Sequence, residues 1–155
     1  MLPIYKHTQF GWVVAAGTAV GMVLATGMLL WLSAATLKAA WWLVAALYAV
    51  LAAAFLLFAT LTVEVTEREI RARFGVGLFG RTIPLADVRR SEIVRTRIWW
   101  GWGLHWTPGG WLYNVAGRQA VRLDLVRQRP VMIGSDDADG LKRAIDARLA
   151  GREAV

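Results

Sequence analysis

Two long stretches near the start of the chain carry no formal charge: thirty residues from Thr8 to Leu37 and twenty-five from Ala39 to Val63. A helix needs about 20 apolar residues to cross a hydrocarbon core, so each stretch is long enough. The pattern predicts two membrane-spanning helices, at about residues 10–33 and 40–62. The break between them, Ser33-Ala34-Ala35-Thr36-Leu37-Lys38, is short enough to force a hairpin. A cleaved leader with Lys6 at its start and Ser33-Ala34-Ala35 at its end is a competing reading. The apolar run exceeds the roughly 7–15-residue core of such a leader.

Beyond Val63 the period changes to two. Ile70, Ala72 and Phe74 alternate with Arg71 and Arg73, which predicts a half-buried strand. Ile83, Leu85 and Val88 continue the alternation around Pro84, a strand edge or bend. Ile93, Val94 and Ile98 predict a further strand, and Trp111 to Val115 another. Val121, Leu123 and Leu125 alternate with Arg122 and Asp124, and Val131 and Ile133 begin a return strand after Gln128-Arg129-Pro130. The last segment is helical: Leu141, Ile145 and Leu149 recur every four residues beside Ala138 and Ala144. Ser135 or Asp136 is its expected N-cap and Gly151 its expected stop. Six or seven short strands without interposed helices argue for an antiparallel sandwich or barrel, capped by this helix.

Charge reinforces the division. Residues 1–63 contain Lys6 and Lys38 and no acid, whereas residues 64–155 hold sixteen Lys+Arg and eleven Asp+Glu. The expected organisation is a two-helix hairpin over 1–63, a small mainly-β domain over 64–150 and a tail at 151–155. Basic residues favour the cytoplasmic side. One, Lys38, lies between the helices, while Lys6 precedes them and Arg68, Arg71, Arg73 and Arg81 follow. Both termini are therefore expected in the cytoplasm. The net charge of +7 then sits beside an anionic leaflet. Nucleic acid is not expected as a partner, because the Arg residues are interspersed with Asp and Glu.

Within the hairpin, Gly17, Gly21 and Ala25 share one face of the first helix, and Ala45, Ala49 and Ala53 one face of the second. Small residues at this spacing let backbones approach in lipid, within the hairpin or against another chain. Trp12, Trp31, Trp41 and Trp42 fall near the helix ends, as in an interfacial aromatic belt.

The segment from Trp99 to Asn114 holds five of the nine Trp and four Gly. Its Gly101-Trp102-Gly103, Thr107-Pro108, Gly110 to Val115, Gly117-Arg118 and Ala120-Val121, with Ile133-Gly134-Ser135-Asp136 ahead of the last helix, resemble bacterial membrane proteins with a pleckstrin-homology-like (PH-like) domain. Such proteins often carry a two-helix hairpin before that domain. The resemblance covers about residues 60–150 and departs at Pro130, where that family's hairpin is often Asp-Gly-like. It implies a bent, seven-stranded antiparallel sheet capped by a C-terminal helix, in a protein of the bacterial inner membrane. It implies little about function, since the fold serves as a binding platform.

Trp99, Trp100, Trp102, Trp106, Trp111 and Tyr113 either fill the open end of the sheet, form a wedge at the lipid headgroups, or anchor a protein interface. Arg95, Arg97 and Arg118 flank them and suit lipid phosphates. Phosphoinositide-binding PH domains place a base about ten residues before an Arg-x-Arg pair. Arg71 and Arg73 supply the pair, but the neighbourhood of Leu61 supplies no base, so specific inositol-phosphate binding is not expected.

No metal or cofactor is expected. There is no Cys, and His7 and His105 are far apart. Asp136, Asp137 and Asp139 fit helix capping better than a calcium loop. Gly75, Gly77 and Gly80 match a dinucleotide pattern but join strand to strand. No Ser sits in a nucleophile elbow. The expected function is a non-enzymatic, membrane-tethered binding or scaffolding module that engages anionic lipid or a membrane protein partner, homo-oligomers included. The alternative is an accessory subunit of a larger membrane complex. A lipid-acting enzyme using His105 with Asp87 or Glu92 ranks last.

Overall fold

The structure, a computed structural model, describes residues 3–32, 34–97, 100 and 103–153. The chain runs β1 (Tyr5–Phe10), α1 (Trp12–Trp31), α2 (Ala34–Phe58), β2 (Thr60–Val65), β3 (Glu69–Phe74), β4 (Phe79–Pro84), a 3-10 turn (Leu85–Asp87), β5 (Val88–Arg95), β6 (Gly103–Thr107), β7 (Gly110–Asn114), β8 (Gln119–Leu125), β9 (Val131–Gly134) and α3 (Ala138–Glu153). Two long apolar helices are thus followed by a mostly-β domain that ends in a helix.

α1 and α2 are each long and apolar enough to cross a membrane. Large side chains such as Leu24, Leu30 and Val50 are exposed along them. The seam between the helices is narrower than the small-residue spacing suggests. Ala25 is buried, a Cβ on Gly21 would lie 3.2 Å from Leu51 Cδ2, and Thr26 Oγ1 lies 2.6 Å from Tyr48 Oη. Gly17 faces open space, and Ala45, Ala49 and Ala53 are exposed. The two stripes therefore do not pack on each other. On α2, Tyr48 and Leu51 set the packing face and the alanines point away.

The second helix was expected over about 40–62, but it already begins at Ala34, inside the expected break, stops at Phe58, and the chain becomes strand at Thr60. Hydropathy cannot separate the two, because the apolar run continues unbroken. The period can: Leu61, Val63 and Val65 are buried and Thr60 and Thr62 are only partly so. The expected boundary at 63/64 therefore falls inside β2. The other strand of this pair, β1, was not expected at all. It precedes α1 and pairs antiparallel with β2, from Tyr5 opposite Val65 to Phe10 opposite Thr60. At the point where both strands become helices, Gly11 N–H donates to Ala59 O at 2.7 Å. Both ends of the helical hairpin thus leave one sheet side by side.

Among the described residues, nine strands form two sheets, β1-β2-β3-β4 and β5-β8-β9-β7-β6. All neighbours are antiparallel except β7 and β9, which run parallel. This departs from the all-antiparallel expectation, because β9 inserts between β7 and β8. The main core lies between the sheets: Leu61, Val63, Ile70, Phe74 and Ile83 from the first meet Tyr113, Val121, Leu123 and Ile133 from the second. α3 closes it with Ala138, Leu141 and Ile145 buried and Leu149 at the margin, as the four-residue spacing predicts. Its cap is neither Ser135 nor Asp136. Asp137 Oδ1 accepts from Gly140 N–H at 3.0 Å, while Ser135 Oγ accepts from Asp137 N–H. The helix also runs through Gly151 to Glu153.

Polar side chains tie β1 down. Tyr5 Oη donates to Asp137 Oδ2 at 3.1 Å. Burial, then this bond, push its hydroxyl up to about 12. His7 Nε2 lies 2.5 Å from Asp136 Oδ1. Glu64, nearly buried on β2, binds Lys6 of β1 at 3.0 Å and Arg73 of β3 at 2.6 Å. The Lys6 hydrogen bond, with the Arg73 charge behind it, holds the Glu64 carboxyl below the usual 4.5 against the opposing effect of burial. A depressed folded value means that Glu64 adds stability above its unfolded value and loses it as pH falls through the folded one. Lys6 and Arg73 are about half exposed, so the contribution is modest. Glu64→Gln should cost about 1–2 kcal/mol at neutral pH. Thermal unfolding, followed by Trp fluorescence in mild detergent, should show this gap to the native chain closing below about pH 4.5.

Candidate functional site

The strand polarities define which end of the β domain meets the helices. β1 ends and β2 begins there. The β7–β8 turn packs beside them: a Cβ on Gly11 would sit 3.1 Å from Val115 Cβ, and Gln9 Nε2 donates to Ala116 O at 2.7 Å. The end of β5 joins this turn through Thr96 N–H, which donates to Arg118 O at 2.8 Å. The start of β6 also lies here. Gly103, Leu104 and His105 line an apolar cleft of about 320 Å³ with Val14, Ala54 and Phe58 of the helices. An aromatic chain continues from helix to core: Phe58 meets Phe74 at 5.8 Å, and Phe74 stacks on Tyr113 at 6.0 Å.

The three flanking arginines converge at this helix-proximal end. The β5–β8 ladder sets Arg95 opposite Gln119, one residue from Arg118, and Arg97 follows two residues on. All three are exposed. Trp100 N–H donates to Arg97 O at 3.0 Å, and the Arg97 guanidinium carbon lies 6.0 Å from the Trp100 ring centroid. The indole is half buried against Leu112, Ala120, Met132 and Val94, on the face of the second sheet away from the main core. Trp100 is therefore a cover for that face, with a cation beside it.

The remaining aromatic residues do not form one cluster. Tyr113 is in the core. Trp106 and Trp111 face each other on β6 and β7 at 5.2 Å, edge to face. Arg129 lies over Trp106 at 5.0 Å. Three residues of extended strand separate Gly103 from Trp106, about 10 Å toward the far end of the domain. A single headgroup wedge built from all these rings is thus not what the fold assembles. Trp99 and Trp102 lie outside the described residues.

Arg71 and Arg73 sit on the outer face of the first sheet, where they pair with Glu69 and Glu64. His105 is on β6 and Glu92 on β5, opposite edges of the five-stranded sheet. Four strand spacings, about 19 Å, lie between those edges. Asp87 precedes β5, at that same far edge, where its carbonyl accepts from Val126 N–H. The structure does not bring His105 together with either carboxylate. The sequence reading missed the cleft at the helix feet. Its signal, the apolar Leu104 next to His105, cannot be told from ordinary strand alternation.

No protein-family model, curated protein or solved structure matches this chain.

Proposed function

We propose that this chain is a membrane-tethered, PH-like binding or scaffolding module whose domain engages anionic lipid at the leaflet it emerges from. In this reading α1 and α2 cross the bacterial inner membrane and both termini are cytoplasmic. The two-sheet domain closed by α3 supports the PH-like part. The bias of Lys6, Arg68, Arg71, Arg73 and Arg81 supports the orientation.

One observation carries the lipid assignment: Arg95, Arg97 and Arg118 are exposed at the end of the domain from which the helices leave. A cation held near an anionic leaflet contributes about 1 kcal/mol, roughly fivefold in affinity. Tethering keeps the domain at high local concentration, so weak contacts suffice. No cofactor, metal or catalytic group enters this account.

Arg95→Gln, Arg97→Gln and Arg118→Gln combined should reduce the phosphatidylglycerol retained by the full-length chain at least fivefold, counted by native mass spectrometry. Arg127→Gln with Arg129→Gln, at the opposite end, should change it less than twofold. Equal losses from both sets would refute the assignment.

A second reading, an accessory subunit of a larger membrane complex, is favoured by the outward alanine stripe. Ala45, Ala49 and Ala53 are exposed where α2 faces away from α1. If that stripe is an interchain contact, Ala49→Leu should release a second polypeptide from the particle extracted in mild detergent. An unchanged native mass would exclude this contact.

A further inference from the structure

The β3–β4 turn has a composition that its own geometry does not require. From Phe74 to Gly80 the chain reads Phe-Gly-Val-Gly-Leu-Phe-Gly, without a charge. Gly75 and Gly77 have φ of +45° and +89° and supply the turn's left-handed backbone. Val76 and Leu78 contribute nothing to that backbone and do not pack inward: they are 66% and 75% exposed, and Phe79 is 45% exposed. Polar side chains are the usual occupants of such a tip.

The position of the turn explains the choice. A Cβ on Gly75 would sit 2.0 Å from Leu56 O and 2.7 Å from Leu57 O, so the turn lies directly against the last turn of α2. Phe79 stacks on Phe58, the last helical residue, at 5.7 Å and 17°. Leu56 is itself 57% exposed beside it. Exposed apolar side chains on the last turn of α2 and on the β3–β4 turn thus lie next to each other. Below the tip, Lys6, Glu64 and Arg73 share a cleft of about 300 Å³ with Gly75, Val76 and Gly77. An apolar tip above a polar, partly cationic shelf matches the division between acyl chains and headgroups.

We propose that the β3–β4 turn is inserted in the bilayer, with Val76, Leu78 and Phe79 among the acyl chains beside the end of α2. The proposal rests on the reading that α1 and α2 span the membrane. It adds a third point of attachment to the two helix feet. The domain then cannot rock about the hairpin, and its arginine rim stays turned to the leaflet.

The chain has no Cys, so single-cysteine variants of the full-length protein report single positions. Leu78→Cys and Val76→Cys, labelled with a polarity-sensitive fluorophore, are reconstituted in vesicles of phosphatidylglycerol and phosphatidylethanolamine. Leu24→Cys, on the exposed surface of α1, is the control within the bilayer. Val126→Cys, beside Asp87 at the far end of the domain, is the aqueous control. Nitroxide carried on the acyl chains should quench both turn labels at least twice as strongly as the Val126 label, and aqueous iodide should quench them at most half as strongly. Two outcomes overturn the insertion alone: turn labels that behave like Val126 while Leu24 is quenched by the lipid nitroxide, and turn labels shielded from both quenchers, which would place the turn against protein. A Leu24 label that the lipid nitroxide does not reach would sink the spanning reading together with the insertion.

Discussion

The backbone ladder between β1 and β2 ties the helical hairpin to the domain. Two helices that emerged from flexible linkers would leave the domain free to drift at the end of a tether. Here the strand before α1 and the strand after α2 are hydrogen-bonded to each other up to the residue where each becomes helix, Gly11 and Ala59. The helices are extensions of a sheet. That arrangement fixes which end of the domain lies at the helix feet, and with it the place of every other group. The ladder is supported from both flanks, by Glu64 bridging Lys6 and Arg73 and by Tyr5 and His7 reaching the start of α3. Gln9 adds a bond to the β7–β8 turn.

Given that end, strand direction sorts the side chains. β5 ends and β8 begins at the helix feet, so Arg95, Arg97 and Arg118 collect there. β6 runs away from the feet and β7 returns toward them, so Trp106 and Trp111 meet at the opposite end. The arginine rim faces the surface from which the helices depart, and the Trp106–Trp111 pair with Arg129 faces the other way. Phe58 completes the join: the last helical side chain is held by Phe74 and Phe79, and the contact passes through Phe74 to Tyr113.

Much of this architecture was legible in the sequence where polar and apolar positions alternate cleanly. Ile70, Ala72 and Phe74 between arginines gave β3, Val121, Leu123 and Leu125 gave β8, and the four-residue spacing of Leu141, Ile145 and Leu149 gave the buried face of α3. β1 was not legible, because Tyr5 to Phe10 buries only Gln9 and its partner lies beyond the hairpin. β2 was hidden in the tail of an apolar run. The arginines of the site could be picked out because they flank the Trp-rich segment. Their convergence, and the separation of Trp106 and Trp111 from them, depend on a long-range strand order that no local pattern encodes. Val76 and Leu78 gave no signal of their own. An apolar residue between glycines is unremarkable until the turn is seen against the carbonyls of Leu56 and Leu57.

The pairing of β1 with β2 is open to a direct test in the full-length chain. Thr8 and Thr62 face each other across the ladder, their hydroxyls 2.9 Å apart, and the native chain has no cysteine to interfere. In the Thr8→Cys/Thr62→Cys double variant, mild oxidation of membranes containing the full-length chain should close an intramolecular disulfide in nearly every molecule. A double variant whose two thiols both react readily with maleimide, yet never join to each other, would contradict the account.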